Sequence, residues 1–221
     1  NIDNLQEFSR LVDLWEASQP DADIGFRINP QVGAGKIGAM STATAASKFG
    51  IALDDAGNRE MLISCYRNHH WLNSLHTHVG SQGCSLELMV AGVKKVTALA
   101  EEINTAIGQQ QVEVIDIGGG LPVNFASEKV TPTFADYAAA LEDEVPALYT
   151  GNDRVKTELG RSVMAKNGFI ASRIENTKMS GGRHIAISHA GAQVAARTVF
   201  MPDHWKIRLS AHGPDGLAKT G

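Results

Sequence analysis

Amphipathic stretches alternate with short apolar runs along the first three quarters of the chain. Residues 23–29 predict a strand, residues 57–67 a helix, residues 71–79 a second strand, and an apolar stripe over 89–107 a long amphipathic helix. A strand over 112–115 follows directly. An earlier helix is indicated by five apolar residues at helical spacing, namely Leu5, Phe8, Leu11, Val12 and Trp15. Strands that alternate with helices predict an α/β fold with a parallel sheet or a barrel.

The pattern changes near residue 165. Beyond it the chain predicts strands joined by turns, among them a hairpin around Gly181 and Gly182. We therefore predict two domains: residues 1–165 form part of a (β/α) barrel, and residues 166–221 begin a β-rich domain.

Four of the apolar runs end in polar residues or glycines. These endings are Arg27-Ile28-Asn29-Pro30, His76-Thr77-His78-Val79-Gly80-Ser81-Gln82, Asp116-Ile117-Gly118-Gly119-Gly120 and Glu158-Leu159-Gly160-Arg161. Because the C-terminal ends of parallel strands meet at one edge, we expect the four motifs to face one pocket. The glycine triplet leaves backbone N–H groups open to an anion such as phosphate, although glycine clusters are also typical of a tight strand-to-helix turn.

Composition adds only general limits. The 221 residues are 43% hydrophobic and carry a formal net charge of −4, which suits a globular protein with one sizeable domain and an appendage. Basic residues are scattered, and no apolar run is long enough to cross a bilayer, so we expect a cytoplasmic protein that binds neither nucleic acid nor membrane. Cys65 and Cys84 have no metal-ligand spacing and are expected to be structural thiols. A chain that begins with Asn1 rather than methionine is expected to be part of a longer protein.

The strand-end motifs resemble those of the fold-type III pyridoxal-phosphate decarboxylases, which include the diaminopimelate, ornithine and arginine enzymes. Lys48-Phe49-Gly50, the His78 string, the glycine triplet and the Glu158 string occur in the family's order. The resemblance implies the second half of a (β/α)8 TIM-type barrel followed by the start of a β-rich C-terminal domain. It also implies pyridoxal 5'-phosphate as cofactor, decarboxylation of a diaminopimelate-, ornithine-, lysine- or arginine-like amino acid by the parent protein, and a homodimer.

The resemblance also assigns roles around the cofactor ring. Glu158 pairs with the pyridine nitrogen and keeps it protonated, which makes the ring a better electron sink. His78 stacks on the ring face. His76 points to the same side of its strand as His78, so a metal pair is an alternative, but we expect no carboxylate or cysteine nearby to complete a ligand set; we therefore expect no metal and a structural His76.

Around the cofactor phosphate and the substrate, the resemblance implies a further set of residues. The phosphate would be held by Gly118, Gly119, Gly120, Ser81, Gly160 and Arg161. Arg27 would support the phosphate side of the pocket, although a structural ion pair at a strand end is equally open. Arg197 would bind the substrate carboxylate.

This chain departs from the family pattern in several places. Leu159 replaces a proline, His189 stands where many relatives have aspartate, and Met201 replaces a tyrosine, which indicates a divergent subgroup. No lysine has the context of the residue that forms the Schiff base with the cofactor, which in the family lies upstream of everything present here. The family's interface cysteine motif is also missing. Two alternatives stay open: a racemase that uses the same cofactor, and a non-catalytic protein that binds the cofactor or another phosphorylated ligand.

Overall fold

The computed structural model describes residues 1–150, 154–203, 205–216 and the backbone of 218–219. These residues divide into two units. The first comprises residues 1–123 and 130–166, and the second comprises residues 124–129 and 167–221.

The first unit is built on a parallel sheet of five strands, and six helices accompany the strands in the described part of this unit. The strand order across the sheet is β2-β1-β3-β4-β5, and every pairing is parallel. In chain order the elements are α1 (Leu5–Ser18), β1 (Ile24–Asn29), a 3-10 turn (Gly38–Met40), β2 (Ile51–Ala52), α2 (Asn58–Asn68), β3 (Leu72–Thr77), α3 (Leu86–Ile107), β4 (Val114–Asp116), α4 (Phe134–Glu144), α5 (Ala147–Thr150), β5 (Arg154–Lys156) and α6 (Gly160–Met164). The predicted α/β fold with a parallel sheet is therefore confirmed.

Three of the longer helices begin at polar residues that cap their free N–H groups. Asn4 accepts a hydrogen bond from the Glu7 N–H at the start of α1, and Ser85 accepts one from the Leu88 N–H at the start of α3. Thr133 forms a capping box at the start of α4. The end of α3 is set by a glycine, Gly108, in the left-handed conformation.

Helix α3 supplies one wall of the hydrophobic core. Its apolar stripe is buried, as the 89–107 pattern predicted, and the side chains of Val96, Leu99 and Ile103 are fully shielded from solvent. Helix α1 packs through aromatic rings: Trp15 stacks on Trp71 with a centroid separation of 5.0 Å. The inner strands β1 and β3 are largely buried by this apolar packing, whereas the edge strand β5 is exposed.

The strands lie close together where the sequence provides a glycine. A Cβ atom added at Gly25 on β1 would lie 1.5 Å from the carbonyl oxygen of Ser74 on β3. The same oxygen accepts a hydrogen bond from the buried Tyr66 hydroxyl of α2. Neighbouring strands and the helix behind them are therefore tied together at one point below the C-terminal edge of the sheet.

In its described residues, the second unit contains two short antiparallel ribbons and a helix. Strands β6 (Ile174–Ser180) and β7 (Arg183–Ser188) form the hairpin that was predicted around the two glycines. Helix α7 (Ala192–Phe200) was not predicted, because we expected only strands after Gly168. A second ribbon pairs β8 (Ala211–His212) with β9 (Ala218–Lys219). The predicted domain limits, 1–165 and 166–221, stay predictions about the domains of the whole protein.

No helix in the described part of the chain combines the length and the apolar composition that a membrane span requires.

Candidate active site

The strand-end motifs of the first unit meet at the C-terminal edge of the sheet. A cavity of about 490 Å³ there is lined by Arg27 of β1, His76 and His78 at the end of β3, and Glu158 after β5. The remaining lining residues are Asn1, Asp3, Glu7, Thr42 and Phe49. Parallel pairing of adjacent strands explains the convergence, because it brings all their C-terminal ends to one side.

Glu158 lies between the two histidines. Its Oε2 atom is 3.7 Å from Nε2 of His76 and 3.8 Å from Nδ1 of His78. The Glu158 side chain is 49% exposed, whereas that of His76 is only 5% exposed. The pocket therefore places a solvent-accessible carboxylate against two partly or fully buried imidazoles.

The His78 ring is fixed by the glycine turn. Its Nδ1 atom accepts a hydrogen bond of 3.1 Å from the Gly119 N–H, so the neutral ring carries its proton on Nε2. Burial lowers the pKa of His78, and the nearby positive charge of Arg27 acts in the same direction. At neutral pH His78 is therefore an uncharged flat ring at the pocket wall.

The glycine triplet is required by close packing. A Cβ atom at Gly118 would lie 2.4 Å from the backbone carbonyl oxygen of Thr77, and one at Gly119 would lie 2.4 Å from the backbone carbonyl oxygen of Glu158. At Gly120 a Cβ atom would lie 1.8 Å from the Gly80 oxygen. The turn after β4 is thus wedged between the loops that follow β3 and β5, and glycine is the residue that fits there.

The backbone N–H groups of the triplet differ from the predicted arrangement, in which all three face a phosphate. The Gly118 N–H donates to Oδ1 of Asp116 at 2.9 Å, and the Gly119 N–H donates to His78. Within the described ranges, no hydrogen bond engages the N–H of Gly120. Gly120 is therefore the member of the triplet that can offer its N–H to a ligand without first losing an internal bond.

Ser81 and Arg161 meet beside this turn. The Arg161 guanidinium donates to the Ser81 carbonyl oxygen and, at 3.3 Å, to the Ser81 hydroxyl. Gly160 begins α6, and its N–H donates to the backbone carbonyl oxygen of Glu158 at 2.8 Å. A guanidinium and a hydroxyl held together in this way can bind an anion.

The two remaining predicted site residues lie in different units. Arg27 lines the cavity, and its guanidinium carbon lies 4.5 Å from the centre of the Phe49 ring. Burial lowers the pKa of Arg27, opposed by the charges of Asp3 and Glu158. Arg197 belongs to α7 of the second unit, where its guanidinium lies over the Trp205 ring at 5.2 Å.

The sequence analysis did not identify the carboxylates that lie beside His76. Ligand atoms of His76, Asp116 and Glu158 all lie within 4.8 Å of one another, so the expectation that no carboxylate lies nearby was wrong. Because β3 and β4 are parallel with His76 opposite Asp116, both side chains leave the sheet on the same face. The sequence carried only part of the signal: His76 and Asp116 lie at the ends of two successive strands, but the register that sets them opposite each other is seen only in the fold.

Comparison with known proteins gives this site a context. Residues 1–165 match the family model described as the pyridoxal binding domain of pyridoxal-dependent decarboxylases. The chain belongs to this family. Membership confirms the predicted resemblance and brings with it pyridoxal phosphate as the family's cofactor.

Individual members of the family resemble the chain over most of its length. Diaminopimelate decarboxylase of Bacteroides thetaiotaomicron is 28% identical over 215 residues, which cover 94% of this chain and 53% of that enzyme. Diaminopimelate decarboxylase of Aquifex aeolicus is 29% identical over 191 residues, covering 86% of this chain and 44% of that enzyme. The chain thus spans about half the length of the curated relatives it matches.

Solved structures share the fold. A diaminopimelate decarboxylase mutant from Helicobacter pylori, complexed with L-lysine, superposes with a TM-score of 0.77 at 24% identity, over 97% of this chain and 52% of that one. A lysine/ornithine decarboxylase from Vibrio vulnificus, complexed with cadaverine, gives a TM-score of 0.62 at 18% identity, over 95% of this chain and 49% of that one.

The residues at the cavity fit the family's cofactor. A carboxylate, Glu158, is available for a protonated pyridine nitrogen, and the flat His78 ring is available for stacking. The glycine turn is a cradle that any Cβ atom would fill. His76 has two buried ring nitrogens that find no hydrogen-bond partner among the residues described, which is typical of a site that a ligand completes.

Proposed function

We propose that the native protein containing this chain is a pyridoxal-phosphate-dependent decarboxylase of an amino acid related to diaminopimelate, lysine, ornithine or arginine. The observation that carries the proposal is the convergence of Arg27, His78 and Glu158 on one cavity at the C-terminal edge of a parallel sheet. The family of the chain gives this convergence its chemical meaning. Residues 1–165 act as the cofactor-binding domain, and residues 166–221 begin the β-rich domain.

The two roles at the cofactor ring fall to Glu158 and His78. When bound, the cofactor accepts the electron pair that the departing carboxylate leaves behind. Glu158 holds a proton at the ring nitrogen, because its anionic carboxylate stabilises the pyridinium form. His78, uncharged and fixed by the Gly119 N–H, supplies a flat surface against which the ring is oriented. Both residues therefore act as catalytic residues that contact the cofactor.

The phosphate is held at the other end of the glycine turn. Arg161 supplies a positive charge, Ser81 a hydroxyl, and Gly120 a backbone N–H that is not already engaged within the described residues. Gly118 and Gly119 shape the turn, and Gly160 begins the short helix beside it. Arg27 lines the cavity, and in this proposal it supports the phosphate side of the pocket with a second positive charge.

The relatives support the proposed substrate class. The named relatives include diaminopimelate decarboxylases and a lysine/ornithine decarboxylase, so a basic or diamino acid is the proposed substrate class. Arg197 binds the substrate carboxylate in this proposal. The native protein is proposed to be a cytoplasmic homodimer.

The proposal is tested by product release from the native protein. Purified protein is supplied with pyridoxal phosphate and incubated separately with diaminopimelate, lysine, ornithine and arginine while CO2 is measured. We expect CO2 from at least one of them. Glu158→Gln should lower kcat by about tenfold to a hundredfold, because the hydrogen bond to the protonated ring nitrogen loses its charged acceptor. Glu101→Gln, an exposed position on α3, is the matched control and should leave kcat unchanged.

Two outcomes would contradict the proposal. Interconversion of the substrate enantiomers without CO2 release would assign a racemase. Reversible binding of pyridoxal phosphate without turnover of any amino acid would assign a non-catalytic binding protein.

A further inference from the structure

His76 is a buried imidazole whose hydrogen-bonding groups are unsatisfied. Its side chain is 5% exposed, and within the described ranges neither ring nitrogen has a hydrogen-bond partner. Buried polar atoms are almost always paired, because an unpaired one has lost its contact with water and gained nothing in return. The position of His76 in the wall of the cavity indicates that a partner is gained there.

Two carboxylates face this imidazole. Oε2 of Glu158 lies 3.7 Å from Nε2 of His76, and Asp116 lies opposite His76 in the sheet. The ligand atoms of the three residues lie within 4.8 Å of one another. Asp116 is itself held in place, because its Oδ1 atom accepts the Gly118 N–H at 2.9 Å.

Burial and the neighbouring positive charges disfavour the protonated form of His76. Burial lowers the pKa of His76 and is the largest effect, while Arg27 and the neighbouring His78 act in the same direction. The two carboxylates raise the pKa but do not overcome burial. The neutral ring then carries one N–H donor, which a carboxylate oxygen can accept.

Glu158 is able to close the remaining gap. Its side chain is half exposed and belongs to the loop after β5, whereas the His76 ring is enclosed at the end of β3. The separation of 3.7 Å between Nε2 and Oε2 exceeds the usual hydrogen-bond length by less than about 1 Å. A shift of less than about 1 Å in the Glu158 carboxylate would bring the two atoms to hydrogen-bond distance.

We propose that His76 is a positioning residue that donates its Nε2–H to one carboxylate oxygen of Glu158 and thereby aims the other oxygen at the cofactor ring nitrogen. Asp116 supports the imidazole as the second carboxylate of the cluster. This inference rests on the proposed function, in which Glu158 binds that nitrogen. In this role the cluster of His76, Asp116 and Glu158 orients a side chain and holds no metal ion.

The test compares two substitutions that differ only in the donor they retain. His76→Gln keeps an N–H donor near the position of Nε2, and His76→Leu keeps the bulk but removes the donor. His70→Gln, at an exposed histidine of the loop before β3, is the matched control. Each variant of the native protein is examined for its dissociation constant for pyridoxal phosphate, for the pH at which the absorbance of the bound cofactor titrates, and for kcat and KM.

We expect His76→Leu to weaken cofactor binding and lower kcat by about tenfold to a hundredfold, the loss that follows removal of a hydrogen bond to a charged group. KM should be unchanged, and the absorbance titration should move to lower pH, because the ring nitrogen loses its proton more easily. His76→Gln should stay within about threefold of the wild type on the same scale. Equal loss in both variants, or no change in the titration, would mean that His76 only fills space and would overturn the proposal.

A double substitution separates this inference from the proposed function. If His76 acts through Glu158, adding His76→Leu to Glu158→Gln should cause no further loss in cofactor affinity. A fully additive loss overturns the positioning role. If Glu158→Gln alone leaves cofactor binding and turnover intact, the proposed function itself fails. Stoichiometric binding of Zn²⁺ to the cofactor-free protein, abolished by His76→Leu, would also overturn the positioning role, because the cluster would then be a metal site.

Discussion

Replacing Gly120 by alanine should destabilise the first unit more than any other single methyl group added to the glycine turn. Two separate penalties apply at this position. Its φ is +93°, a conformation that residues with a Cβ atom rarely adopt, and the added Cβ would lie 1.8 Å from the Gly80 oxygen. The backbone after β3 or after β4 must therefore move by more than about 1 Å to restore an ordinary contact distance.

The magnitude follows from these two terms. The left-handed conformation costs a non-glycine residue about 1–2 kcal/mol. Forcing an atom into a packed region costs roughly 1–3 kcal/mol. We therefore expect Gly120→Ala to lower the free energy of unfolding by about 2–5 kcal/mol, a large part of the roughly 5–15 kcal/mol that holds a typical domain folded.

Two other glycines separate the terms. Gly108 ends α3 with φ +81° and has nothing within 4 Å of an added Cβ, so Gly108→Ala carries only the conformational cost of about 1–2 kcal/mol. Gly119 has no left-handed φ, but an added Cβ would lie 2.4 Å from the backbone carbonyl oxygen of Glu158. Gly119→Ala therefore carries only the packing cost of about 1–3 kcal/mol.

Urea unfolding followed by tryptophan fluorescence measures all three variants, because the stacked rings of Trp15 and Trp71 lie in the first unit. The reasoning is refuted if Gly120→Ala is no more destabilising than Gly108→Ala. That result would show that the close approach to Gly80 costs nothing.

Three further substitutions test the packing around the site. Thr133→Ala should lower the free energy of unfolding by about 1 kcal/mol in urea titration, because the capping box of α4 is lost. Tyr66→Phe should cost roughly 1–3 kcal/mol in the same assay, since it leaves a buried carbonyl oxygen without this donor. Asp23→Asn should cost about 1 kcal/mol at pH 7 by removing ion pairs to Lys156 and Arg154. Hydrogen bonds from Lys156 and Arg154 lower the pKa of the Asp23 carboxyl. The wild type should therefore lose this stability as the pH falls from about 4 to below the lowered pKa of Asp23. Over that range, urea titrations should show that the free energy of unfolding falls less steeply with pH in the variant than in the wild type.

The regular elements of the first unit could be predicted because their periodicity survives in the sequence. The stripe over residues 89–107 belongs to a helix of 22 residues, long enough for the 3.6-residue period to be unmistakable. Strand β2, Ile51–Ala52, was missed because two residues cannot show an alternation. Helix α7 was missed because it is short, contains no buried residue and includes Ala195 in a non-helical conformation.

The candidate site was predictable as a set of strand endings but not as a geometry. Arg27, His78 and Glu158 could be assigned to one edge, because parallel strands all end there. The neighbourhood of His76 and Asp116 depends on which strands are adjacent and on their register, neither of which a single sequence specifies. The same is true of the Gly119 N–H. The sequence analysis predicted that it binds phosphate, whereas in the fold it donates to Nδ1 of His78.

The central claim is that this edge of the sheet binds pyridoxal phosphate, and a crystal structure of the native protein with the cofactor tests it most directly. We predict that the pyridine nitrogen lies within hydrogen-bond distance of the Glu158 carboxylate and that the phosphate contacts Gly120 and Arg161. Cofactor bound elsewhere in the protein, or bound here with its ring nitrogen turned away from Glu158, would contradict the account.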